Sequence, residues 1–146
     1  MPIATAGHSS TVYLAAIILA MFGYVLWRNS RRRGHVVAGA GIAPAVDAAL
    51  RRLLAGETPF VVLSVTPNVY LQFATEPNGG VLVEANCPAG NEAAATILTT
   101  AGLIAVPGPP NYRASFASPD IGRLASLVPS YLDALGAVSL TIRTGR

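Results

Sequence analysis

The chain has 146 residues, 52% of them hydrophobic and only 12% charged, with a mean hydropathy of +0.50. An average soluble domain is about 25% charged, so the apolar excess must be concentrated somewhere. All ten cationic residues are arginines, and four of them fall within 28–33. Residues 36–146 hold the other six with all seven acids, a net charge of −1. That balance excludes a nucleic-acid reader, whose folded domain must be basic, and the single cysteine excludes an intramolecular disulfide.

The first element is the charge-free run Thr11–Trp27, TVYLAAIILAMFGYVLW. At about 1.5 Å per residue it covers about 25 Å, and a bilayer core takes segments of about 17–25 residues. Val12, Leu14, Ile17, Ile18, Leu19, Phe22, Val25 and Leu26 together favour insertion by on the order of 4 kcal/mol. A helix packed on the surface of a soluble core would need a polar stripe, and the run has none. It therefore predicts a single transmembrane helix behind a short extracytoplasmic N-terminus at residues 1–10. Tyr13 at one end and Tyr24 with Trp27 at the other resemble an interfacial aromatic belt.

No Lys or Arg precedes the run and no small-residue cleavage site follows it, so it reads as an uncleaved signal anchor rather than a cleaved signal peptide. Arg28, Arg31, Arg32 and Arg33 come directly after it. Positive flanks stay on the cytoplasmic side. The expected placement is the plasma membrane, with the N-terminus outside and the larger C-terminal portion in the cytoplasm. The same arginines meet anionic lipid head groups, each worth about 1 kcal/mol near the surface.

Residues 28–43 read as a basic juxtamembrane segment and flexible linker, rich in Gly and small residues. The GAG within it lacks the third glycine of a dinucleotide loop, because Pro44 occupies that position. Residues 44–146 then form an α+β domain.

Its first helix, 44–55, opens on Pro44 and places Val46, Ala49, Leu50, Leu53 and Leu54 on one face, with Gly56 to end it. Three strand-like runs follow at 59–66, 69–75 and 80–86, separated by Pro67-Asn68 and by the turn Glu76–Gly80. Residues 90–102 read as a short helix capped by Asn91, with Glu92 in its first turn. A proline loop, 106–112, leads to a strand at 111–116. A helix from Ser118 to about Gly136 and a last strand at 137–143 close the chain. The sequence thus predicts a meander sheet packed with helices on one face.

Catalytic constellations are scarce. Residues 36–146 contain no His and no Lys, which removes Ser/His/Asp and Cys/His arrangements. Cys87 reads as a small buried hydrophobe. No cofactor, no metal and no catalysis is expected. Glu84, mid-strand, is either an outward strand residue or a partner-binding group ion-paired to Arg113. Asn111-Tyr112-Arg113 follows two prolines and reads either as a satisfied turn or as a contact surface, since Tyr and Arg are enriched at binding hot spots. With Tyr70 and Gln72 these are the candidate partner-binding residues.

The stretch FVVL…VYLQFAT…GGVLVEAN, a short helix, then AGLIAVPGPPNYRASF resembles the TY-Chap domains of actinobacteria, which look like type III secretion chaperones. Tyr70, Gln72, Phe73, Gly80, Glu84, Ala85, Asn86, Asn111, Tyr112 and Arg113 carry the likeness, over roughly residues 58–136. It implies a chaperone-like α/β sandwich that binds proteins without catalysis. The family is usually soluble, and Cys87-Pro88-Ala89-Gly90 replaces an expected bulkier turn.

The resulting expectation is a single-pass anchored, non-catalytic protein-binding domain. It would serve as an accessory or assembly subunit of a larger secretion or respiratory membrane complex, with a small-ligand or lipid-sensing domain as the alternative.

Overall fold

The computed structural model describes residues 34–145. The expected membrane span at 11–27, its aromatic belt Tyr13, Tyr24 and Trp27, and the arginines 28, 31, 32 and 33 lie outside the described residues.

Ten elements follow in chain order: β1 (His35–Ala38), α1 (Ile42–Leu54), β2 (Phe60–Thr66), β3 (Val69–Thr75), β4 (Val81–Asn86), α2 (Glu92–Thr100), β5 (Ile104–Ala105), β6 (Tyr112–Phe116), α3 (Ile121–Leu135) and β7 (Ser139–Thr144). A single 3-10 turn, Gly39–Gly41, joins β1 to α1. The strands form one seven-stranded sheet in the order β1-β7-β2-β3-β4-β6-β5. Every neighbouring pair is antiparallel.

The helices start and stop where local chemistry dictates. Gly56 takes a left-handed φ of +77° after α1. Its N–H donates to Leu53 O and that of Glu57 to Arg52 O, which together satisfy carbonyls the helix end would otherwise orphan. Asn91 Oδ1 accepts from the Ala94 N–H at 3.0 Å, while its Nδ2 donates to Ala134 O, so one side chain caps α2 and ties it to α3. Asp120 caps α3 through the Gly122 N–H. The helix continues through Pro129, which is exposed, so the carbonyl left without a partner can be hydrated.

Strand alternation sorts the sheet into two faces. Val61, Leu63, Leu71, Phe73, Val83, Ala85, Leu140 and Ile142 point one way. They share a single core with Val46, Leu50 and Leu53 of α1, Ala94 and Leu98 of α2, and Leu124, Val128 and Tyr131 of α3. The cross-strand rows Val61–Phe73–Val83 and Leu63–Leu71–Ala85 keep that face in register. Gly80 lies where the chain passes close to β6, and a Cβ there would meet Phe116 O at 2.8 Å.

The expected fold class is corrected in two respects. The α+β domain expected with five strands, three of them in a meander, has a seven-stranded antiparallel sheet with three α-helices among the described residues. Two strands are unexpected: β1 sits in the segment read as linker, and β5 in residues 103–105, assigned to no element between the helix ending at Gly102 and the proline loop 106–112. Each is too short to show a pattern of its own and exists because a neighbour, β7 or β6, supplies the hydrogen-bonding edge. Among the described residues, no helix is long and apolar enough to cross a membrane. Even α3, with 15 residues, spans only about 22 Å, and the apolar stripe of each described helix is spent on the sheet.

Candidate functional site

The register places the predicted site residues. Gln72 on β3 lies opposite Glu84 on β4, which lies opposite Arg113 on β6, so their side chains share one face. Tyr70 is on the same face, opposite Asn86. This is the face turned away from the helical layer, since the intervening Leu71, Phe73, Val83 and Ala85 point into the core. The row extends across Val62 of β2 to Arg143 of β7.

Arg113 Nη2 reaches Glu84 Oε2 at 3.1 Å; the two side chains are 53% and 14% exposed. The counter-ion considered for Glu84 from the sequence is therefore in place. The arginine side is open to water, which screens the pair although the carboxylate is largely covered, so it contributes on the order of 1 kcal/mol. Tyr70, half-buried beside it, has its phenol raised above the ordinary range by burial first and then by the Glu84 carboxylate. Gln72 is itself buried, at 9% exposed, as is Val62 beside it at 1%, so the accessible part of this face is the half-buried Tyr70 ring and the Arg113 side of the charge pair.

Asn111 and Tyr112 do not join it. The Asn111 side chain accepts from the Cys87 N–H at 2.8 Å and donates to Cys87 O at 2.9 Å. Its own backbone N–H donates to Ala85 O and its carbonyl accepts from the Val106 N–H. All of its polar groups are engaged in joining the end of β4 to the proline loop. Tyr112, one residue before Arg113, points to the opposite face, opposite Ala85, where it is half-buried against the core. The two-residue period of a strand puts Tyr112 and Arg113 of this tripeptide, which the sequence left open between a satisfied turn and a contact surface, on opposite faces.

Two further residues were not singled out from the sequence. Arg143 sits at the β7 end of the polar row, its Nε buried without a hydrogen-bond partner among the described residues. In the one-dimensional pattern it is simply a cation on the last strand. Tyr131, placed on the apolar stripe of α3 by periodicity, is 1% exposed, and its hydroxyl donates to Asn86 O at 3.2 Å.

Tyr131 also neighbours Cys87, which is free and buried. Burial raises the thiol above its ordinary 9.0, an effect the Tyr131 hydroxyl partly opposes. A raised thiol is the reverse of what an activated nucleophile requires. The shallow pocket beside it, about 160 Å³, is lined by Cys87, Asn91, Glu92, Asn111 and Tyr112 among others. Among the described residues no three or more His, Cys, Asp or Glu side chains come together to hold a metal ion.

The buried phenols set an alkaline limit on stability. Tyr131 is raised from 10.0 by burial first and then by Cys87, and Tyr70 is raised from the same value. A group whose folded pKa is raised stabilises fully below its unfolded pKa and loses that contribution as pH climbs through the folded value. Cys87 acts in the same sense from its ordinary 9.0. Urea-unfolding stability is therefore expected to fall above about pH 10, with no alkaline loss from these groups below about pH 9. Tyr131→Phe should flatten the fall; an unchanged slope would remove Tyr131 from this account.

No family model, no curated protein and no solved structure matches the chain.

Proposed function

We propose that this protein is a non-catalytic protein-binding domain held at the membrane, acting as an accessory or assembly subunit of a larger membrane complex. The observation that carries the reading is the face of the sheet opposite the helices. There the register gathers Tyr70, Gln72, Glu84 and Arg113 from three strands. Tyr and Arg flanked by polar groups are the residue types that dominate binding hot spots, and a rigid sheet presents them at little entropic cost on association.

Membrane attachment rests on the sequence: the apolar run 11–27 and the arginines at 28, 31, 32 and 33. Confinement to two dimensions raises the effective concentration of the domain near membrane partners, and the arginines add contact with anionic head groups. The resemblance to TY-Chap domains points the same way, toward protein binding.

The test is co-purification of the tagged full-length chain in mild detergent, with the accompanying proteins identified. Tyr70→Ala combined with Arg113→Ala is expected to release the partner. Arg51→Ala, on the exposed surface of α1, should not. Retention of every partner by the double variant, with its unfolding transition intact, would eliminate this surface.

A further inference from the structure

Between α2, α3 and β6 lies a groove of about 230 Å³, lined by Ile97, Phe116, Leu124 and Leu127 and bordered by Ser126, Ser130 and Arg123. It is on the helical side of the sheet, opposite the candidate interaction face. Leu124 and Leu127 are buried core residues at its base, and Ile97 and Phe116 are half-buried walls. Arg123 is the sole charged residue lining it. Its guanidinium stands 5.3 Å above the Phe116 ring, and one of its donors makes a long bond, 3.4 Å, to Ala101 O at the end of α2. That leaves most of a five-donor fork unassigned, and none of the ion pairs among the described residues includes Arg123.

The hydroxyls on the rim do not compete for the same role. Ser126 donates to Arg123 O, and Ser130 to Ser126 O. Arg123 also lies in the first turn of α3, where the helix macrodipole adds positive potential. The groove therefore has an apolar base and one cationic rim, a combination matched to an amphipathic anion. Its volume is below the roughly 300–1,000 Å³ of sites for drug-sized ligands, which selects a short chain.

We propose that this groove binds a short aliphatic carboxylate, with the hydrocarbon on Phe116, Leu124 and Leu127 and the carboxylate on the Arg123 guanidinium. The site is independent of the protein-binding face, and either can fail without the other.

The test uses the full-length chain in nanodiscs, with methyl NMR of Ile97, Leu124 and Leu127, titrated with octanoate, octan-1-ol and acetate. Octanoate is expected to shift these methyls saturably with a Kd of about 0.1–1 mM. Octanol should bind about tenfold more weakly and acetate should produce no shift. Arg123→Gln should weaken octanoate about tenfold, to the level of the alcohol. Methyls of Leu50 and Leu53, on the buried face of α1, report that the variant is folded. A second variant, Ser126→Trp, fills the rim and should abolish the shifts. Equal binding of octanoate and octanol, unchanged octanoate binding by folded Arg123→Gln, or no saturable shift at these methyls would overturn the proposal.

Discussion

Phe73→Ala is expected to destabilise the protein by about 3–5 kcal/mol, the range for deleting a buried aromatic ring. Phe73 is 0% exposed at the centre of β3, in register between Val61 and Val83. The ring sits in the middle of the sheet beneath the helical layer, so removing it leaves a cavity that neighbours on three strands cannot close without breaking register. Typical domains have a net stability of only about 5–15 kcal/mol, so the loss is a large fraction of the total. Phe73→Leu, which restores most of the volume, should cost about 1.5 kcal/mol or less. Urea denaturation of the full chain measures both. A Phe73→Ala cost near 1 kcal/mol would mean that the sheet and helices are not packed through this ring.

Asn111→Ala is expected to cost about 2–4 kcal/mol, because it orphans both the N–H and the carbonyl of Cys87 in one step, each unsatisfied buried group costing about 1–3 kcal/mol. Cys87 is 5% exposed, so water reaches these groups poorly. Asn111→Asp separates the two bonds. The carboxylate still accepts from the Cys87 N–H, but it can no longer donate to the carbonyl and instead repels it. The aspartate variant should therefore be impaired as well, and amide exchange at Cys87 should stay protected in Asn111→Asp while rising in Asn111→Ala. Wild-type stability in Asn111→Ala, with loss of a binding partner, would return this residue to the contact surface from which its hydrogen bonds remove it.

The two predictions touch residues that both carry the family likeness, 38 positions apart in the chain, and separate them by what they contact. Phe73 was legible as a core residue from alternation alone, since Val69, Leu71 and Phe73 interleave with Tyr70, Gln72 and Ala74. Asn111 was not, because an asparagine after two prolines is as consistent with a turn, a cap or a contact. Its role depends on Cys87, 24 residues earlier, which no local pattern reveals.

By itself the sequence determined what is local. The β-branched and aromatic run of β2, the alternation of β3 and β4, the apolar stripes of α1 and α3, the Asn91 cap and the Gly56 stop all follow from periods and backbone preferences written within a few residues. The tertiary structure alone decided what is relational. It made strands of His35–Ala38 and Ile104–Ala105, inserted β7 between β1 and β2, placed Tyr112 and Arg113 on opposite faces, and set Gln72, Glu84 and Arg113 in one row. A short strand has no stability apart from the edge it pairs with, and a side chain's partner is fixed by register across strands far apart in the chain. Both properties belong to pairs of segments, so neither can be read from one segment alone.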